Sequence, residues 1–583
     1  MNFNSLFSGT LPLPVIEAFI EAQKDKDSVE DLKQTRLWQA CQEAGIKDDD
    51  KPLTVFSFDT DKIKEYVFAS PKLPEIRGGS KLIKKLDWKL KRDNSGSEIK
   101  EILGQFDLPD EAVVYASGGG GILIVPAKQA EDVAKEIKYR FSKATLGATV
   151  TCAWLKVHPM DLIYGYRCLE FGLDDAKKII EKNGAETLSE KWKNKKCFGE
   201  LITILSENLQ RKKGEPENIP FFEAIPYAER CDSCGMRPAK EKAYDDKKIC
   251  EVCLKKMRIG REGEDRAEDM RAIGDASEGR AKGYVGVIYA DGNGMGAVLQ
   301  ELKAISDYRN WSRFVHKTFQ NTIDDIQKEL DICGNVFEKL VTGGDDIILL
   351  MPGDKSLLFS EKLAKKITEK LRQYNDNEIS DDLRGKMGLG VGVLIAHYNF
   401  PALYMVEYAE QLMKNAKKCG KPESAIDFAI LTDSSPVSTS ITDLREELYS
   451  REHDDAEEVW FTKRPYIFDE FVEFIRTARQ LKTNVPQSQI YFMRELIANQ
   501  DRRVAEINFL FQVARSKHDK GWKKWISEVT GEKKKSISAD IRKLIWEEQP
   551  DKNGNKQIIT SFIDYTEVYH FIDKESVRYE KTA

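Results

Sequence analysis

Phe337-Glu338-Lys339-Leu340-Val341-Thr342-Gly343-Gly344-Asp345-Asp346-Ile347-Ile348-Leu349-Leu350-Met351 is the stretch on which the fold turns. Two β-prone runs flank a Gly-Gly turn, which predicts a hairpin with an exposed polar tip. Gly343 and Gly344 let the backbone turn tightly and leave room for a bulky, phosphate-rich ligand. Adjacent carboxylates repel unless a cation sits between them, so Asp345 and Asp346 favour a hard divalent metal, Mg²⁺ or Mn²⁺. A tight turn carrying solvated aspartates has the same spelling, and the surroundings must discriminate.

Upstream, Tyr284-Val285-Gly286-Val287-Ile288-Tyr289-Ala290-Asp291-Gly292-Asn293-Gly294-Met295-Gly296 is an apolar run ending in an aspartate and a glycine-rich turn, followed by a helical pattern from Ala297 to about Ile305. A strand ending at Asp291 can bring a third carboxylate beside the hairpin. Gly292 and Asn293 lie where backbone N–H groups can approach phosphate at a helix start. Met387 to Ile395 reads as a further strand, and Leu403 to Lys418 as an amphipathic helix whose end places Lys417 within reach of a phosphate. The same lysine at a solvated helix end would need no ligand. The order strand-Asp, helix, GGDD hairpin, strand, helix-Lys resembles the palm domain of nucleotide cyclases, diguanylate cyclases and many polymerases.

A second series precedes it. Val55-Phe56-Ser57-Phe58-Asp59-Thr60-Asp61-Lys62-Ile63-Lys64-Glu65-Tyr66-Val67-Phe68 leads to Ile76-Arg77-Gly78-Gly79-Ser80 and then to Val113-Val114-Tyr115-Ala116-Ser117-Gly118-Gly119-Gly120-Gly121-Ile122-Leu123-Ile124-Val125. The chain is therefore read as internally duplicated, with an all-glycine hairpin tip in the first copy. Cys231-Asp232-Ser233-Cys234 and Cys250-Glu251-Val252-Cys253 are two CxxC pairs fifteen residues apart. Four thiolates at this spacing suit a closed, structural tetrahedral Zn²⁺ site. Cys41, Cys152, Cys168, Cys197, Cys333 and Cys419 are scattered and read as buried thiols.

A degenerate palm, a four-cysteine insert, a GGDD palm and a helical tail together resemble the large subunit of type III CRISPR effector complexes, of Cmr or Csm type. FDxDxIKEYVF, IRGGS, YADGNGMG and GGDD in this order carry the resemblance, which runs from about residue 50 to the end. It implies an α+β fold of two ferredoxin-like palms, a zinc-containing mostly helical insert and a C-terminal helical domain. The expected boundaries are 1–50 for a helical entry segment, 51–165 for the first palm, 166–280 for the zinc region, 281–433 for the second palm and 434–583 for the tail. Ser434 to Ser440 reads as a linker, and Arg261 to Lys282 as a charged loop or solvated helix.

Composition sets outer limits. The chain has 583 residues, 41% hydrophobic and 32% charged, with a net charge of −6. Several cores are within reach, and RNA contact would have to come from local patches. No signal peptide or apolar membrane-spanning run is visible, and free-thiol use points to the cytoplasm with no membrane partner. Many relatives begin with a histidine–aspartate nuclease domain. Here the first of six histidines is His158, and His453-Asp454 and His518-Asp519 stand in the tail without companion ligands, so no nuclease activity is expected.

The resemblance further implies an adenylyltransferase. Asp291, Asp345 and Asp346 would hold Mg²⁺ on the triphosphate of ATP, while Asn293 replaces an aspartate found in many relatives. Asp59 and Ser80 of the first palm would contact ligand, and guide RNA, target RNA and other effector subunits would be partners. Two products fit: cyclic oligoadenylate, or AMP joined to S-adenosylmethionine. A catalytically idle RNA-complex scaffold and a free-standing dinucleotide cyclase are the readings from other classes. In the tail, Lys517, Lys520, Lys523 and Lys524 with Trp522 and Trp525, then Lys533-Lys534-Lys535, form a basic and aromatic stretch able to track phosphate and stack a base; a solvated helix face with the tryptophans buried in a bundle has the same spelling.

Overall fold

The structure, a computed structural model, describes residues 1–24, 32–88, 97–165, 198–214, 228–242, 247–263, 266–374, 379–420, 423–432, 440–452, 458–515, 519–530, 545–550 and 556–573. Three short helices between Phe3 and Glu43 open the chain. Then β1 (Leu53–Thr60), β2 (Val113–Ser117), β3 (Gly120–Pro126) and β4 (Val150–Val157) form an antiparallel sheet in the order β2-β3-β1-β4. Helices separate β1 from β2 and β3 from β4, which is the ferredoxin-like order with β1 central.

The second copy repeats this. β7 (Tyr284–Asn293), β8 (Glu338–Gly343), β9 (Asp346–Pro352) and β10 (Gly388–His397) are ordered β8-β9-β7-β10. The sheet is extended to six strands by β11 (Ala425–Leu431), parallel to β10, and by β14 (Tyr466–Ile467). β7 is buried at nearly every position and β10 likewise, as expected of central strands covered on both faces. The helices Ile305–Glu329, Gly353–Arg372 and Ala402–Gly420 supply the cover.

Between the palms lies the small β5–β6 hairpin (Glu241–Lys242 and Lys248–Ile249), then the helix Glu251–Gly260. That helix crosses the IRGGS helix, Leu73–Ile83, so closely that a Cβ on Gly78 would meet the Lys256 carbonyl oxygen at 1.8 Å. The IRGGS helix in turn grips the second palm. Arg77 forms a buried two-pronged ion pair with Glu338 of β8, and the Ser80 hydroxyl donates to the Leu340 carbonyl of the same strand. One short motif thus joins the zinc region to the strand that leads into GGDD.

Two features depart from the sequence reading. The helix Phe198–Lys213 packs on β1 and β4, alongside the first sheet, although its sequence position falls in the zinc region. The tail is helical but also contains a four-stranded sheet, β12 (Ser450–Glu452), β13 (Glu458–Trp460), β15 (Glu547–Pro550) and β16 (Lys556–Ile559), whose strands are too short to give a period. Cys41 and Cys152 are buried as read; Cys333 and Cys419 are exposed. Cys168, Cys197, His453, Asp454, His518, residues 434–439, Lys517 and Lys533 to Lys535 lie outside the described residues. Trp522 and Trp525 are packed edge to face within the tail's core, so neither indole is open to stack a base. No described helix is long and apolar enough to cross a membrane.

The two hairpin tips meet. A Cβ on Gly118 would lie 2.9 Å from the Gly343 Cα, and one on Gly343 would lie 2.4 Å from the Gly118 Cα. Because the obstacle on each side is backbone, Gly118→Ala should destabilise the palm pair by about 1–3 kcal/mol, as overpacking does. Gly104→Ala, on an exposed helix face with nothing within 4 Å, should instead be neutral or stabilise by about 0.5–1 kcal/mol. Paired urea-unfolding curves check both signs.

Candidate active site

Strand register brings the carboxylates together. The β7–β9 ladder ends where Ala290 faces Ile347, and Asp291 and Asp346 are the residues next to that last pair. Asp345 reaches back over the β7 turn, where a Cβ on Gly292 would be 3.1 Å from its Oδ2. Gly292 and Gly343 thus act through close approach, and Gly344 supplies the left-handed turn residue, with φ of 65°.

The tip is less open than its sequence suggests. Asp346 is exposed in the cleft, but Asp345 is half-buried against the first palm. Burial, then the charges of Asp291 and Asp346, push the Asp345 carboxyl up to about 7. Burial and Asp291 push Asp346 to about 6, where cleft water tempers the effect. Two carboxyls raised by burial and by neighbouring carboxylate charge mark a site short of positive charge. The donor set, all hard oxygen, fits a divalent ion of the Mg²⁺ class.

Among the described residues, the second-palm cation paired with the carboxylates is Lys417, which donates to Asp291 and, at 2.9 Å, to the Gly292 carbonyl. It arrives there because Gly390, paired with Asp291, leaves space over β10: a Cβ would meet Lys417 Cγ at 2.4 Å. Asn293 is buried, donating to the Glu423 carbonyl at 3.0 Å, and its Oδ1 has no partner.

The first palm shows the same register with different residues. Asp59 faces Gly120, so glycine occupies the place held by Asp346 in the second palm. Asp59 pairs with Lys213 at 2.5 Å, much as Asp291 pairs with Lys417. Ser80 is buried with its hydroxyl engaged by Leu340, and the structure does not bring it together with the carboxylates.

Sequence reasoning missed several contributors. The Tyr115 hydroxyl donates to the Ser117 carbonyl at 3.0 Å and would lie 3.3 Å from a Cβ on Gly344. Both Tyr115 and Tyr308 have their hydroxyl pKa raised, first by burial and then by charges that include Asp345. Lys64 and Glu410, paired at 2.7 Å, border the cleft beside Tyr289. Lys64 sits inside a quoted motif, but only the fold shows which way that motif faces.

The four cysteines form a separate centre. Their sulfurs lie within 4.8 Å of one another, and Cys234 and Cys250 are 3.9 Å apart. Zn–S bonds of about 2.3 Å in a tetrahedron put sulfurs about 3.8 Å apart, so the cluster fits zinc. Backbone N–H groups of Ser233, Cys250 and Cys253 point at Cys231 and Cys250 sulfurs. The Cys234 thiol is pulled down by hydrogen bonds from Cys250 and Cys253, which are themselves pushed up; four sulfurs this close cannot all ionise without a cation. Beneath them lie buried Glu75, bonded to Ser233, and Lys256, which donates to the Tyr66 carbonyl.

Comparison with known proteins follows the same lines. Residues 284–425 match the family model described as Cas10/Cmr2, second palm domain. No curated protein matches the chain. Among solved structures, the chain is similar to a Csm1–Csm4 cassette in complex with pppApA (14% identity, TM-score 0.51, covering 80% of this chain and 66% of that one). It is also similar to Csm1 from T. onnurineus (15%, 0.51, 84% and 67%). A Csm1–Csm4 cassette in complex with cA4 is a third (13%, 0.50, 87% and 73%). The chain spans about two thirds of the length of the first of these. Its central segment is a palm of the Cas10/Cmr2 kind. Beyond that segment, the chain shares its overall fold with these Csm1 structures.

Two measurements test the centres. Divalent binding needs the carboxylates ionised, so Mn²⁺ affinity should fall as pH drops through 7 and then 6, by up to about tenfold per unit for each carboxyl that takes up a proton; a Mn²⁺ titration followed by paramagnetic resonance reads this. Elemental analysis should find zinc in the pure protein, and Cys250→Ser should lose it and expose residues 228–260 to protease.

Proposed function

We propose that this chain is the RNA-activated adenylyltransferase of a type III CRISPR effector complex, converting ATP to cyclic oligoadenylate with release of pyrophosphate. The observation that carries this is the convergence of Asp291 and Asp346, each next to the last pair of the β7–β9 ladder, with Asp345 folded over Gly292 and Lys417 alongside. The similar Csm1–Csm4 cassettes bound to pppApA and cA4 support adenylate as the nucleotide class. They equally support a partner subunit of the Csm4 kind, and guide and target RNA would complete a cytoplasmic complex.

A divalent metal held by Asp291, Asp345 and Asp346 would supply charge neutralisation at the phosphates and favour ionisation of the attacking hydroxyl. The chain's own part is positioning. Gly292 lets Asp345 close over β7, Gly343 lets the two hairpin tips touch, and Lys417 offers an ammonium that can leave Asp291 when the carboxylates gain another cation. Asn293, buried and bonded to Glu423, holds the start of the following helix in place. The first palm, with Asp59 and Lys213 but no tip carboxylates, would present the second nucleotide. Tyr308, buried, and Tyr115, half-buried, would limit the access of water on the Asp345 side of the cleft.

Replacing Asp345 and Asp346 together by Ala should reduce pyrophosphate release by the RNA-bound complex about a thousandfold or more, in line with loss of the metal-holding carboxylates. Assembly and zinc content should be retained. Full turnover by the double variant would refute the assignment, and product mass with and without S-adenosylmethionine identifies the acceptor.

A further inference from the structure

Lys64 is a first-palm side chain that brings a cation to the second palm's carboxylate cleft. It lies on the short helix Ile63–Val67 directly after β1. Its Nζ is 2.7 Å from Glu410, on the helix that carries Lys417, and 4.9 Å from the centre of the Tyr289 ring. Glu410 and Lys417 are seven residues apart, two helical turns, so both face the cleft. Tyr289 and Asp291 are two apart on β7 and share a sheet face. Asp346 feels two cations, Lys417 from its own palm and Lys64 from the other.

Glu410 does not depend on Lys64. Lys414 pairs with the same carboxylate oxygen at 2.9 Å, so Glu410 keeps a partner if Lys64 leaves. Lys64 is itself 40% exposed on its side chain, with a long, flexible stem free to swing. β1 is tied at its end to the first hairpin, where Thr60 donates to the Gly119 carbonyl from both its backbone nitrogen (3.1 Å) and its hydroxyl (2.7 Å). The stem is therefore mounted on the element that touches the GGDD tip.

We propose that Lys64 is a substrate-binding residue acting across the palms: its ammonium transfers from Glu410 to the polyphosphate of the nucleotide held at Asp291, Asp345 and Asp346. The proposal rests on the nucleotidyl-transfer reading. It makes correct juxtaposition of the two palms a condition for full charge neutralisation of the departing pyrophosphate, because one cation comes from each.

The test compares K64Q, K64R and E410Q in the assembled, RNA-bound complex. Affinity for a non-hydrolysable ATP analogue should fall about tenfold or more in K64Q, the loss of one charge-assisted hydrogen bond. Affinity for AMP, which lacks the polyphosphate, should stay unchanged, as should zinc content and melting temperature. K64R should recover most of the loss, and E410Q, which frees Lys64, should bind the analogue more tightly. Wild-type analogue binding and pyrophosphate release by K64Q, or equal weakening of AMP, would overturn the role of Lys64 while leaving the nucleotidyl-transfer reading intact. A wild-type complex that neither binds the analogue nor releases pyrophosphate would overturn that reading and the proposal with it.

Discussion

The backbone contact between Gly118 and Gly343 is the constraint on which the rest of the molecule depends. Two hairpin tips from two palms can approach to this distance only where neither carries a side chain. Once they do, the cleft has one wall from each palm, and Asp345 is half-buried instead of standing free in water. The raised carboxyl pKa values follow from this enclosure as much as from mutual repulsion. The glycine-rich first tip, which reads in isolation as a lost active site, is the part that makes the second one composite.

A second chain of contacts runs from the cysteine cluster to the same hairpin. The helix that begins at Cys250 crosses the IRGGS helix through glycine, and that helix holds β8 by Arg77 on Glu338 and Ser80 on Leu340. The ion pair is fully enclosed and further satisfied by the Gly260 and Ala267 carbonyls. Such a pair adds little net stability over a hydrophobic contact, but breaking one partner strands a buried charge. Its effect is specificity: β8 can take only one position relative to the first palm and the zinc helix.

The pairing of Asp59 with Lys213 and of Asp291 with Lys417 shows how duplication has diverged. Both palms keep the central-strand aspartate and a lysine from the helix that packs beside it. Only the second keeps the tip carboxylates. An aspartate with one lysine is electrically satisfied; three carboxylates with one lysine are not, and that imbalance is what a divalent cation and a polyphosphate can resolve together.

Much of this was legible in the residues alone. Alternating and continuous apolar runs ending at Asp59 and Asp291 predict the central strands, the Gly-Gly turns predict both hairpins, and paired CxxC spacing predicts the sulfur cluster, because each rests on local backbone geometry or on short-range ligand reach. Contacts between distant segments were not legible. Ser80, a candidate ligand contact by its motif, binds β8; the tail's tryptophans, which the sequence leaves open between a stacking face and a bundle core, are core; and Lys64 carries no signal of its role in the sequence. Sequence determined which groups can bind metal and turn tightly, since those are properties of the residues and their neighbours in the chain. Tertiary structure decided which of them share one cleft, since that depends on how two sheets, joined by an ion pair and a glycine contact, are set against each other.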